Sequence, residues 1–306
     1  LTASPPETVT SRRHPWAARL RDARDGADKS VLFIEGVRLV QEAAASFPLR
    51  HLFATPKALA SAAGDWIHAR AGEGVPLLLL EDDVMSFVSG LDSPPGLVAL
   101  AARPRHELDA VLAAGGAPLL VVLDGVQLPN NAGAVVRVAE AAGARAVIAT
   151  AGGTDLYGPK ALRASAGSAF RLPLLGAESG PALAERLAAA GVSCVAADPR
   201  GDREYTDWDW TKPTAVFLGA ESSSWRPLSG EGTRSLRIPM RGSVESLNVS
   251  VAAGILLYEA SRQRGLRPVS AQGKATAAGE RSVSTKGTKP VVRSAPLRRK
   301  GAKPPE

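Results

Sequence analysis

Apolar residues in this chain fall into two trains of short runs separated by amphipathic or polar segments. In the first, strand-like runs at 31–34, 51–54, 76–80 and 97–101 alternate with helical patterns near 37–45, 56–70 and 82–88. Such alternation predicts a small α/β domain. The second train has runs at 119–123, 146–150, 170–174, 192–197 and 214–219, with helices predicted at 131–143 and 181–190. Strands this apolar predict a mainly parallel sheet covered on both faces, and ligands of such sheets bind beyond the strands' carboxyl ends. The stretch 236–264 closes the pattern with an apolar strand ending at Pro239 and Met240, a polar loop containing Gly242, and a helix. Val249, Ala253, Leu256, Leu257 and Ala260 recur there at helical spacing, the stripe of a core-facing helix. Arg262 and Arg264 suit the carbonyl end of its dipole.

The pattern divides the chain into a disordered leader at 1–15, a first domain at 16–104, a linker at 105–118 with Gly115 and Gly116, a second domain at 119–264 and a tail at 265–306. Residues 16–28 form a charged helical segment that could clasp the first domain or lie on RNA. The net charge of +7 is uneven. From Ser261 onward there are 12 Lys and Arg against 2 Asp and Glu, leaving 25 against 28 for the rest. The tail is therefore expected to be disordered, serving either as a solubilising extension or as a non-specific attraction for RNA phosphate. No apolar run approaches the roughly 20 residues of a membrane span, and the N-terminal residues lack a signal-peptide core. A cytoplasmic protein with no membrane partner is expected. Cys194 is the single cysteine, and His14, His51, His68 and His106 are scattered without metal-ligand spacing, so no metal is expected.

Three constellations carry candidate chemistry. The first is Asp124-Gly125, then Asn130-Asn131-Ala132-Gly133 with Arg137 and Ala141. Gly133 and Ala141 lie four residues either side of Arg137 on one helical face, so a guanidinium emerges from a strip of small residues where another backbone can approach. Such an Arg can grip a phosphate with two parallel hydrogen bonds, although any single Arg on an amphipathic helix is more commonly a surface residue. The second is Phe217-Leu218-Gly219-Ala220-Glu221, and the third is Ile238-Pro239-Met240, Gly242, Glu245, then Ser246-Leu247-Asn248-Val249. The plain alternative for Ser246 or Asn248 is a helix cap.

In order and spacing these constellations resemble the motifs of the TrmH/SpoU branch of the SPOUT RNA methyltransferases, over about 145 residues from 119 to 264. Residues 33–43 are similar to the ribosomal-protein-like substrate-binding domain that precedes the catalytic domain in many of these enzymes. Lys160 and Ser165-Ala166-Gly167-Ser168 look like the family's connecting segment. Two departures stand out: Pro94 and Pro95 precede Gly96 where the family often has glutamine, and Ser224 stands where a glycine usually follows the Glu.

The resemblance implies an α/β fold whose C-terminal domain is a deep trefoil knot, and an S-adenosylmethionine-dependent enzyme acting on a ribose 2′-hydroxyl. Backbone around Ala197, Gly219, Ile238, Met240 and Leu247 would form the cofactor pocket, the glycine letting the cofactor approach. Asn131, Arg137, Glu221, Ser246 and Asn248 would be catalytic. Ser246 and Asn248 would orient nucleophile or cofactor, and Glu221 would brace the loops. A guanidinium deprotonates only at very high pH, so Arg137 is expected to clamp a phosphate and stabilise a developing alkoxide rather than serve as general base. The implied partners are RNA, with 23S ribosomal RNA favoured over transfer RNA, and a second copy of the chain docked through the knot. Base methylation and a non-catalytic RNA-binding module remain alternatives. A nicotinamide-binding enzyme is disfavoured, because the Gly-rich fingerprint after the first strand is missing.

Overall fold

The computed structural model describes residues 6–177, 179–219 and 233–265. Residues 1–5, Glu178, Ala220 to Gly232 and the tail from Leu266 lie outside the described residues, so the expectations for Glu221, Ser224 and the tail are not addressed.

The first lobe contains β1 (Thr8–Val9), α1 (Pro15–Asp25), β2 (Val31–Glu35), α2 (Val37–Ala44), β3 (Leu49–Ala54), α3 (Pro56–Leu59), α4 (Gly64–Gly72), β4 (Leu77–Leu80), α5 (Asp82–Val88) and β5 (Leu97–Ala102). Its sheet runs β1-β4-β3-β5-β2, with β5 antiparallel to both its neighbours. Three expectations change here. The leader is not disordered from residue 6 onward: Thr8 and Val9 pair with Leu79 and Leu80, and Val9 is buried. A two-residue strand is too short to produce an alternating pattern. The segment at 16–28 clasps the lobe through Ala17, Leu20 and Ala23. Arg24 Nη1 donates to the carbonyls of Val88 and Ser89 at 3.2 and 2.9 Å, satisfying open acceptors where α5 ends. The single helix expected at 56–70 is broken into α3 and α4. A Cβ on Gly64 would fall 1.9 Å from the Leu59 carbonyl oxygen, so only glycine permits that reversal.

The linker carries α6 (Leu108–Ala113), whose Leu108 and Val111 are buried. Beyond it the second lobe contains β6 (Leu119–Leu123), α7 (Pro129–Ala141), β7 (Ala146–Ala149), α8 (Pro159–Ser165), β8 (Leu174–Gly176), α9 (Gly180–Ala189), β9 (Ser193–Ala197), β10 (Arg203–Glu204), β11 (Thr214–Leu218), β12 (Thr233–Arg237) and α10 (Val249–Gln263). The strand expected at 170–174 begins only at Leu174, because Ser168–Phe170 is a turn of 3-10 helix. The seven strands order as β10-β12-β9-β11-β6-β7-β8, and every pairing is parallel.

Side chains alternate between two cores, as strand geometry demands. Leu119, Val121, Leu123, Val216 and Leu218 face α7 and α10, whereas Leu120, Val122, Ala215 and Phe217 face α6 and α9. The first of these cores continues into the first lobe through Ile34, Val40 and Ala43, and Phe47 meets Phe170 edge-on at 5.5 Å. Three arginines reinforce the junction with ion pairs. Arg171 bridges Glu42 and Glu140, Arg163 faces the fully buried Glu35 carboxylate at 3.6 Å, and Arg103 makes two hydrogen bonds to Asp155. Burial pushes the Asp155 carboxyl up, but hydrogen bonds from Arg103 and from Tyr157 N–H outweigh it and hold Asp155 below its ordinary 3.8. Arg264 does more than complement a dipole: its guanidinium donates to the carbonyls of Trp210, Ala117 and Lys212, anchoring the end of α10 to the loops before β6 and β11.

Candidate active site at the carboxyl ends of the second sheet

Strands β9, β11 and β12 end side by side, and Ala197, Leu218, Gly219 and Leu236 at those ends form one wall of a cavity of about 300 Å³. The chain after β12 folds over it without regular structure, contributing Ile238, Met240, Ser246 and Leu247, and Val249 and Ala252 at the start of α10 close the other side. All five residues expected at a cofactor pocket therefore line a single cavity, together with Ser246 at an exposed position.

The packing gives glycine at 219 a further reason besides the expected one. Its φ is +94°, and an added Cβ would lie 2.4 Å from Val126 Cγ2 and 3.2 Å from the Asp124 carbonyl oxygen. The glycine is demanded by the loop after β6, which packs directly behind the cavity wall. That loop is held in turn by Thr150, whose hydroxyl donates to Asp124 Oδ1 at 2.7 Å and whose Oγ1 accepts from Gly125 N–H at 3.0 Å.

Asn248 unites its two readings. It is the N-cap of α10, its Oδ1 accepting from Ser250 N–H at 2.9 Å, and its Nδ2 donates to Asn131 Oδ1 at 3.3 Å. The pair joins the starts of α7 and α10 across 117 positions of sequence. Gly133 is where α7 meets another backbone: a Cβ there would fall 2.3 Å from the Ala161 carbonyl oxygen of α8.

Arg137 is not brought to this cavity. Six residues beyond Asn131, it stands roughly 9 Å further along α7 and about 240° around it, with an exposed side chain that makes no hydrogen bond or ion pair with a described residue. Glu221 lies outside the described residues. Among the lining residues the sequence reading did not single out, one is charged. Asp198 follows Ala197 at the end of β9, the one charged side chain among the described lining residues. Its Oδ1 accepts from Arg200 N–H at 2.8 Å, and its own N–H donates to the Leu236 carbonyl at 3.0 Å, so the carboxylate is fixed in place. An acidic residue at the carboxyl end of an apolar parallel strand was the available signal. Among the described residues no group of three or more His, Cys, Asp or Glu could hold a metal. Cys194 lies in the core behind the site, its thiol pushed up to about 12 by burial.

Residues 118–258 match the SpoU rRNA Methylase family model, and residues 17–99 match the MRM3-like substrate binding domain. The chain belongs to the SpoU rRNA methylase family. It is 36% identical over 211 residues to the 23S rRNA (guanosine-2'-O-)-methyltransferase RlmB of Ralstonia nicotianae, covering 67% of this chain and 84% of that relative. It is 32% identical over 270 residues to the 23S rRNA (uridine(2479)-2'-O)-methyltransferase of Streptomyces viridochromogenes, covering 84% of this chain and 92% of the relative. The crystal structure of the SpoU methyltransferase AviRb from Streptomyces viridochromogenes in complex with AdoMet superposes with a TM-score of 0.71 at 28% identity, over 83% of this chain and 99% of that one. In this SpoU-family chain the cavity at the ends of β9, β11 and β12 belongs to the part matched by the methylase model, and the first lobe to the part matched by the substrate-binding model.

Proposed function

We propose that this chain transfers a methyl group from S-adenosylmethionine to a ribose 2′-hydroxyl of 23S ribosomal RNA. The observation that carries the reading is the convergence of three separated stretches, ending at Ala197, at Gly219 and at Ser246 with Leu247, on one cavity whose rim holds the Asn131–Asn248 pair. The cavity suits the cofactor. Its walls are apolar apart from a few polar groups, the usual character of a small-molecule site, and the Asp198 carboxylate can accept hydrogen bonds from ribose hydroxyls or face a cationic sulfonium. When bound, S-adenosylmethionine supplies an electrophilic methyl group.

The residues then have separate tasks. Backbone at Ala197, Gly219, Ile238, Met240 and Leu247 holds the adenosine. Ser246 and Asn248 would orient the ribose hydroxyl towards the methyl group that bound S-adenosylmethionine would supply. Arg137 clamps the adjacent phosphate and stabilises the developing alkoxide. Because Arg137 projects from a different side of α7 than Asn131, we assign it to the site of a second copy. The chain would then act as a homodimer whose trefoil-knotted second lobes pack together. An unpartnered apolar stripe on α10 supports that assembly: Val251 and Tyr258 are 50% and 58% exposed with Ile255 between them, and Leu128 is 64% exposed beside α7. Residues 16–104 present the RNA and residues 119–264 carry the chemistry. No described helix is long and apolar enough to cross a membrane, and the proposed place of action is the cytoplasm, where ribosomal RNA is found.

The test uses radiolabelled S-adenosylmethionine and a 23S rRNA transcript. Label that survives alkaline digestion in a dinucleotide marks a 2′-O-methyl group, whereas label released in mononucleotides would mean base methylation. Arg137→Ala is expected to abolish turnover while calorimetry finds cofactor affinity nearly unchanged. A wild-type rate in that variant would remove Arg137 from the mechanism.

A further inference from the structure

Away from the cofactor cavity, the two lobes leave a second concavity along their junction. A pocket of about 260 Å³ lies between Arg24 and Gly90 of the first lobe and Pro129, Lys160 and Arg163 of the second. Thr154 and Asp155 also line a neighbouring space of about 430 Å³ bordered by Lys29, Arg103 and Arg105.

The cations along this cleft fall into two sets. Arg24 is bound to Asp25 and to the carbonyls at the end of α5, Arg103 makes two hydrogen bonds to Asp155, and Arg163 faces Glu35. These three are neutralised by carboxylates and hold the walls in place. Lys29, Arg105 and Lys160 are exposed and make no hydrogen bond or ion pair with a described residue. The acids lining the same space are Asp25 and Asp155, already paired, and Glu107. Partial desolvation of His106 pushes its pKa down. Lys29 also lies near enough to Asp155 to help hold its pKa down, but that carboxylate is already bonded to Arg103, so the cleft carries an excess of positive charge spread over both lobes.

We infer that this junction cleft is the track of the RNA sugar-phosphate backbone on the approach to the reactive nucleotide, successive phosphates meeting Lys160, Lys29 and Arg105. The inference rests on the RNA reading above. Its direction follows from Pro129, which lines the cleft and is the first residue of α7, two positions before Asn131 at the rim of the active site. The positive end of the α7 dipole adds to the attraction there. Two neighbouring spaces with separated cations fit a repeating polyanion, whereas a free mononucleotide would need only one of them. Because the walls are fixed by ion pairs, the backbone would bind without a large ordering cost in the protein.

The experiment measures affinity of the full chain for a 23S rRNA transcript by filter binding between 50 and 200 mM KCl. Each phosphate contact to a single strand contributes about 0.7 to the slope of log affinity against log salt. The Lys29→Ala/Arg105→Ala/Lys160→Ala variant should therefore lose about 2 from the slope. Over that fourfold change in salt, the wild type should lose about 18-fold more affinity than the variant. Cofactor affinity, measured by calorimetry, should not change, which also establishes that the variant is folded. The inference is overturned by a variant slope equal to that of the wild type. It is equally overturned by a wild-type protein with no salt-dependent affinity for the transcript. A wild type that binds with the expected slope yet transfers no methyl group would sink the catalytic reading and leave the cleft assignment standing.

Discussion

Asn248 offers a way to separate a helix cap from a catalytic part, because the structure gives it both contacts. Its Oδ1 caps α10 through Ser250 N–H, and its Nδ2 reaches Asn131 across the rim of the cavity. Asn248→Ala removes both. Loss of such a cap costs about 1 kcal/mol, which lowers Tm by roughly 2–4 °C in a chain of this size. Asn248→Ser keeps a hydroxyl that caps as well as an amide does but is too short to reach Asn131. The Ser variant should therefore melt within about 2 °C of the wild type. Methyl transfer should behave differently. If the Asn131–Asn248 contact aligns the site, losing one hydrogen bond worth about 1 kcal/mol slows the chemical step several-fold, and a further loss of alignment extends that to tenfold or more. Single-turnover rates of methyl transfer at saturating cofactor and RNA, alongside thermal melts, provide the two readings. Both variants should be slow, and only the Ala variant should be less stable. A Ser variant with the wild-type rate would reduce Asn248 to a cap and refute its assignment to the reaction.

Two further outcomes follow from packing and charge. Gly133→Ala places a Cβ 2.3 Å from the Ala161 carbonyl oxygen and 2.6 Å from Ala164 Cβ, so α7 and α8 must separate. A destabilisation of about 1–3 kcal/mol is expected from such overpacking, read as a lower urea midpoint, and an unchanged midpoint would mean that the helices part freely. Asp155 has a folded pKa below its unfolded value, so its stabilising contribution is fully present above about pH 4 and is lost as pH falls through the lower folded value. Asp155→Asn should thus be less stable at pH 7 and show a flatter decline below pH 4. Parallel profiles for the two proteins would remove Asp155 from the acid response.

Much of the architecture was legible because it rests on local periodicity. The apolar runs at 119–123 and 214–219 are strands since nearly every residue in them is buried on one face or the other, and α10 follows from its stripe of Val249, Ala253, Leu256 and Leu257. Features without a period were not legible. Thr8–Val9 is too short to alternate. The break before Gly64 depends on a contact with Leu59 that no propensity encodes. In the linker, α6 owes its place to Leu108 and Val111 finding the sheet.

For the site, the chain alone determined which residues are candidates: the resemblance of its motifs to those of the TrmH/SpoU enzymes implied Ala197, Gly219, Ile238, Met240 and Leu247. What the tertiary structure decided is which of them meet. Parallel strands from distant parts of the sequence end at one level, so Ala197, Gly219 and Leu247 share a cavity, and Asn131 reaches Asn248 although 117 positions separate them. It also assigned Gly219 its packing partner, added Asp198, and left Arg137 exposed and off the cavity lining. The physical reason is the range of the forces involved. Hydrophobic periodicity and capping act over a few residues and are written in local order, whereas a cavity exists only where the sheet register and the helix packing bring remote backbone within van der Waals reach.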